Sequence, residues 1–310
     1  MKMKTSDHLT PDLFEPVEPD WEQQEGIKSK RISFWGDAWR RFRTNKGALI
    51  GMIIILIIGL LAVLGPDMND YSYRQQILEI SNQAPFDDHW FGTDKFGRDL
   101  WTRTWHGVGI SLMIAFMAAA IDLFIGVPYG CISGYFGGKV DNWMQRIIEI
   151  LYGIPNLIVM IMLLLWLEPG VMAIALALSV TGWVSMARVV RGQILKLKNQ
   201  EYVLAARTLG ASHRRLLIRH MLPNVSGPII ITIMFTIPTA IFFEAFLSFI
   251  GLSIRPPGAS LGLLINDGFE MMRFLPYQVF YPAAILSLLM FSFNLIGDGL
   301  RDALDPKLRR

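Results

Sequence analysis

Residues 47–66, GALIGMIIILIIGLLAVLGP, run for 20 positions without a charge. A helix rises about 1.5 Å per residue, so about 20 apolar residues cross a hydrocarbon core of about 30 Å. Five more stretches of this kind follow, at 108–130, 147–167, 170–187, 226–252 and 279–300. A soluble α/β core would show apolar runs of about 4–8 residues between polar turns, and these runs are too long for it. The expected fold is an all-α integral membrane protein with six transmembrane helices. The fourth stretch, of 18 residues, is the shortest. The composition agrees: 18% of residues are charged, against about 25% in a typical soluble domain. Cys131 is the only cysteine, which excludes a disulfide-stapled scaffold. The first stretch follows a 46-residue leader with no A-x-A site after it, so it reads as a retained span and not a cleaved signal.

Lysine and arginine set the expected orientation. With the N-terminus inside, the segments 1–46, 131–146, 188–225 and 301–310 hold 23 of the 29 basic residues. Both termini are then cytoplasmic. The domains read as a cytoplasmic tail with an interfacial helix (1–46), a first span (47–66), an extracytoplasmic loop (67–107), a five-helix core (108–300) and a cytoplasmic tail (301–310). Residues 1–30 have mixed charge and three prolines, as a mobile tail does. In SFWGDAWRRFRTNK, aromatic residues at helical spacing sit beside a basic cluster, the pattern of a helix lying in the bilayer interface. The segment HWFGTDKFGRDLWTR is dense in glycine, tryptophan and charge, which suits a packed outside element better than a free linker. Gly126, Gly130, Gly134 and Gly138 recur every four residues. Small residues at this spacing let membrane helices approach closely. The chain from Cys131 onward reads as turn, so only Gly126 and Gly130 are expected to pack. Pro155 and Pro238 each remove a backbone donor inside a span and are expected to kink it.

The chain has no G-x-x-x-x-G-K-[ST] phosphate loop, no H-E-x-x-H, no C-x-x-C and no G-x-S-x-G. Its five histidines are scattered. The parts for nucleotide hydrolysis, metal catalysis or acyl transfer are missing. Four carboxylates fall within spans: Asp122, Glu149, Glu244 and Asp298. Such a charge costs about 2.5–3.5 kcal/mol on insertion scales, so each is expected to face a bundle interior or cavity, or to be paired. Glu149 can snorkel and Asp298 can pair with Arg301. A proton or a Ser/Thr hydrogen bond accounts for Asp122. Glu244 sits deepest, and either lines a translocation path or packs helices together.

Segment 188–225 holds eight basic residues and one acidic residue, Glu201. Tyr202, Ala205, Ala206 and Leu209 share one helical face, and the two alanines make it thin enough for a partner to come close. Gly210 follows as a left-handed stop. Ser212 then caps a second helix, which Pro223 is expected to end. A unit this small cannot bury its own apolar face.

The run EYVLAARTLGASHRRLLIRHMLPN resembles the E-A-A…G…I-x-L-P cytoplasmic loop of ABC-importer permeases, with Glu201, Ala205, Ala206, Gly210, Ile218, Leu222 and Pro223 at the matching positions. The residues before the alanine pair follow the peptide/nickel branch of that family. WRRFRTNKGALIG, HWFGTDKFGRDLWTR, EAFLSFIGL and DGLRDALDPKLR resemble its other motifs in order, and the length is that of the shorter C-type permease. Trp101-Thr102 departs from the serine that often follows the outside motif.

The resemblance implies half of a heterodimeric channel in a bacterial cell membrane. A second homologous permease would complete it. Two ATPase subunits would hold ATP and Mg, and an extracytoplasmic peptide-binding protein would deliver oligopeptides, or by alternative dipeptides or nickel. This chain would bind no cofactor and no nucleic acid and catalyse no reaction. Glu201, Tyr202, Ala205, Ala206, Arg207, Leu209, Gly210, Ser212 and Arg215 would form the ATPase-coupling loop. A secondary transporter would need ion-coupling carboxylates and commonly an internal repeat; no two-half repeat is visible.

Overall fold

Helices make up all the regular structure among the described residues, 33–168 and 170–305 of this computed structural model. The expected tail over 1–30 lies outside them, as do residues 306–310. Helix α1 (Phe34–Thr44) turns Ala38 and Phe42 inward and leaves Trp35 and Trp39 about half exposed. Asp37 pairs with Arg40 and Arg41 at 3.0 and 3.1 Å. Asn45 adopts extended backbone and accepts the amide of Ala48 at 3.1 Å, which starts α2 (Lys46–Leu64).

Helix α3 (Leu100–Phe136) has 37 residues, about 55 Å at 1.5 Å per residue. It runs past the expected span at both ends. At one end Asp99 caps it, accepting the amide of Thr102 at 2.7 Å, so residues 100–107 are helix and not loop. At the other end the expected turn from Cys131 onward is helix too. The reason is the partner helix α6 (Val171–Leu197). A Cβ on Gly126 would sit 2.7 Å from the Trp183 carbonyl oxygen, and one on Gly134 2.9 Å from that of Arg191; Gly130 is tighter still, against Ala187. Gly134 therefore packs as well. Gly138 has open space around it and a φ of +54°, and it starts the next helix without packing on α6.

The expected third span is not one kinked helix. Helices α4 (Gly138–Gly153) and α5 (Asn156–Trp166) meet at 82°. Ile154 precedes Pro155 and is extended, with φ −97° and ψ 128°, as the ring of a following proline favours. The 11 residues of α5 rise only about 17 Å. Among the described residues, five helices are long and apolar enough to cross a membrane, or six if this bent pair counts as one span.

After α6 come α7 (Glu201–Thr208), α8 (His213–Arg215), a π-helical turn (Leu216–Met221) and α9 (Leu222–Phe249). Pro223 does not end a helix. It sits in the first turn of α9, where the widened turn before it rearranges the hydrogen bonds that a proline would break. The path from His213 to Phe249 is one helical rod, and it continues through Pro228 and Pro238. Helix α10 (Leu261–Phe269) and helix α11 (Tyr277–Leu304) complete the chain.

The core joins α3 (Ile114, Ala118), α6 (Ile174, Ala177), α9 (Ile237, Ile241) and α11 (Leu289, Phe293). Phe42, Ala48 and Ala303 bring α1, the start of α2 and the end of α11 together. The groove beside them includes Pro223 and Asn224, so the 201–224 segment lies at the same end of the bundle. At the other end, the outside motif is folded tightly. Asp99 also meets His89 at 2.8 Å and Asn69 at 3.0 Å. Asp94 accepts Arg98 at 2.6 Å, Arg98 approaches Asp267 of α10 at 3.6 Å, and Gln278 of α11 donates to the Thr93 carbonyl at 3.0 Å.

Candidate functional site

Helix α7 has two unlike faces. Val203 is fully buried and joins Leu216, Met221 and Val225 in a cluster with Tyr135 of α3 and Val190 and Ile194 of α6. Ala206 is half-buried against the same cluster. The expected four-residue face is therefore split: Ala206 turns toward the protein's own core, while Tyr202, Ala205 and Leu209 remain outside. Leu209 is 88% exposed, an apolar side chain with no cover. Glu201 stands in the first turn of α7, where negative charge complements the helix dipole.

Gly210 takes φ +83°, the left-handed turn that a Cβ disfavours. Ser212 accepts the amide of Arg215 at 3.4 Å and begins α8. Polar contacts fix the segment against the bundle. Tyr135 and His213 share a hydrogen bond of 2.6 Å, and the Arg207 guanidinium lies 5.8 Å from the Tyr135 ring centroid. Asn224 of α9 reaches the Tyr202 hydroxyl at 3.4 Å. Next to this, Arg191 of α6 grips Asp141 of α4 with two bonds of 2.6 and 2.7 Å, and Ser133 of α3 donates to the same carboxylate at 2.5 Å. Three helices are thus clamped where the segment meets the core.

The four in-span carboxylates separate. Glu149 is exposed on α4 and pairs with Arg146 at 3.0 Å. Asp298 is exposed, and no ion pair joins it to Arg301 among the described residues. Glu244 is 1% exposed and accepts Ser111 at 2.8 Å and Ser248 at 2.9 Å, so it ties α9 to α3. It does not line the half-open cleft beside α9. Asp122 does, in a space of about 420 Å³ between α3, α5, α6 and α9. Of the two readings for Asp122, a proton or a Ser/Thr hydrogen bond, the second is not seen among the described residues: its Oδ1 is buried without a hydrogen-bond partner, and the serine bonds go to Glu244. The sequence flagged Asp122 as an in-span carboxylate but offered no way to choose between a satisfied acid and a cavity wall.

A bundle of long apolar helices that carries an exposed helical elbow at one end matches known transport proteins. Residues 126–310 match the family described as binding-protein-dependent transport system inner membrane component, and residues 33–85 match the N-terminal TM domain of oligopeptide transport permease C. Over 98% of its length the chain is 48% identical to the oligopeptide transport system permease protein OppC of Bacillus subtilis, covering 99% of that protein. It is 47% identical to the dipeptide transport system permease protein DppC of the same organism, covering 98% of each. A chain of the MetNI methionine ABC transporter in inward-facing conformations has the same fold, at a TM-score of 0.53 and 19% identity over 65% of this chain and 96% of that one. The chain belongs to the binding-protein-dependent permease family. It is a multi-pass inner-membrane component of a transport system.

Proposed function

We propose that this chain is the C-type permease of an ATP-driven importer of oligopeptides, forming half of the channel beside a second homologous permease. Two cytoplasmic subunits hold ATP and Mg and do the hydrolysis. An extracytoplasmic peptide-binding protein supplies the cargo, and this chain binds no cofactor of its own. Both termini and the 201–224 segment face the cytoplasm, because these segments carry most of the basic residues. The names of the similar permeases support peptide cargo.

One observation carries the coupling role. The exposed Tyr202–Ala205–Leu209 face is continuous, through the elbow at Gly210 and the rod from His213 to Phe249, with a helix that walls the Asp122 cleft. A groove on an ATPase subunit covers the apolar face. When the ATPase pair closes and reopens, the displacement of α7 passes through Val203 and Leu216 into α6 and α9. The bundle then rocks between two states, biased by nucleotide.

The test uses Ala205→Asp and Leu209→Asp, outward positions whose change leaves the core alone. Both variants should reach the membrane at normal levels, lose the ATPase subunit on purification and lose peptide uptake. Uptake at the unaltered rate by both would remove this face from coupling. The near-equal likeness to a dipeptide permease favours a second reading of the cargo, in which dipeptides are taken. Uptake of labelled peptides of graded length separates the two.

A further inference from the structure

Asp122 is 3% exposed, and its Oδ1 is buried without a hydrogen-bond partner among the described residues. The opposite wall makes room for its other oxygen. A Cβ on Gly182 of α6 would sit 2.5 Å from Oδ2, so only glycine leaves the carboxylate in place.

The α9 side of the wall is rich in acceptors, while Asn156, Thr181 and Ser185 add groups that can donate as well as accept. Thr232 donates its hydroxyl proton to the Pro228 carbonyl at 2.8 Å, Thr236 to Thr232 at 3.0 Å and Thr239 to Phe235 at 2.8 Å. All three threonines line the cavity. Each proton is committed one turn back along α9, so each oxygen has lone pairs left for a ligand. A carboxylate beside a ladder of acceptors suits a ligand that brings positive charge and several donors, as an ammonium group does. Arg301 is the basic residue of the same wall, and no ion pair joins it to Asp122 among the described residues. Separate charges of opposite sign on one wall also match a zwitterion. The volume of about 420 Å³ falls within the usual range for small-molecule sites.

We propose that this cavity binds a primary ammonium group, with Asp122 as its ion-pairing ligand, and that the group it takes is the α-ammonium of the peptide cargo. The choice of cargo rests on the importer reading; the ammonium chemistry does not.

Two measurements on the assembled transporter test it. In the first, Cys131→Ala removes the native thiol and Thr239→Cys places one on the cavity wall. Labelling rates are compared for an ammonium-bearing and a sulfonate-bearing methanethiosulfonate of similar size. The ammonium reagent should react faster, and Asp122→Asn should lower the ratio of the two rates about tenfold, by removing the charge that concentrates cations in the cleft. Asp122→Glu should keep it. A ratio that Asp122→Asn leaves unchanged, or an introduced thiol that neither reagent reaches, overturns the site.

The second measurement is uptake of a tripeptide with a free amino terminus into proteoliposomes. Asp122→Asn should lower uptake per ATP hydrolysed about tenfold while all subunits still co-purify, and Asp122→Glu should restore it. Unreduced uptake overturns the cargo assignment. Loss of the second permease from the Asp122→Asn complex overturns the proposal by making Asp122 an interface residue. Failure of the unaltered transporter to take up any peptide would count against the importer reading alone, and the labelling ratio would still decide the ammonium site.

Discussion

Glycine at three positions decides how α3 and α6 meet. Gly126, Gly130 and Gly134 bring the α3 backbone against carbonyls of α6, where membrane helices gain association from close van der Waals packing. Gly130→Leu should force the pair apart and lower stability by about 1–3 kcal/mol or more, as overpacking does. Gly59→Leu, on α2 with nothing within 4 Å, should not. Thermal unfolding of the two variants in detergent checks this, and equal midpoints would mean that the glycine stripe is incidental. The spacing was readable in the sequence. How far it packs was not, because a glycine followed by Tyr-Phe-Gly-Gly suits a helix end as well as a helix interior. The contact with Arg191 and Ile194 chose the helix.

At the scale of elements, the proposed coupling segment is more rigid than its sequence suggests. Pro223 reads as a stop, yet the π-helical turn from Leu216 to Met221 carries the helix into α9. Motion that α7 passes to the rod beginning at His213 therefore reaches the cavity wall without crossing a further loop. Leu216 is the buried side chain at the joint. Leu216→Ala should leave a cavity and weaken the joint by about 2–5 kcal/mol. Its expected signature in the reconstituted transporter is ATP hydrolysis that persists while peptide uptake falls several-fold. If uptake and hydrolysis fall together, the joint does not transmit the motion. The opposite case is the third expected span. There the proline marks a disruption, and Gly153, Ile154 and Pro155 together turn the expected kink into an 82° break. Local rules identify the breaker; the angle depends on what the two halves pack against.

For the whole molecule, the two ends of the bundle make sidedness a property that thiol labelling reads directly. Leu209 and Leu78 are 88% and 69% exposed and lie at the two ends of the bundle, while the native Cys131 is buried. In a Cys131→Ala background, Leu78→Cys should react with an impermeant maleimide in intact spheroplasts. Leu209→Cys should react only after the membrane is opened. The reverse pattern would invert the orientation drawn from the basic residues. The molecule also leaves large apolar side chains uncovered on its long helices, Leu56, Phe124 and Phe291 among them. Lipid or a partner subunit must cover them, since α2, α3 and α11 are only partly packed within this chain.

The sequence by itself determined that the chain is a helical membrane protein, where its long helices lie and which short segment cannot bury its own apolar face. Those properties come from local hydropathy, charge placement and turn chemistry, which act over a few residues at a time. It also carried the motifs of the permease family to which the chain belongs. Only the tertiary structure decided that Ala206 faces inward and Ala205 outward, that Glu244 is held by serines, and that Asp122 stands against Gly182 on a cavity wall. A buried carboxylate is satisfied or free according to which distant residues pack beside it. Ser111 lies 133 residues from Glu244, and the fold alone brings such partners into reach.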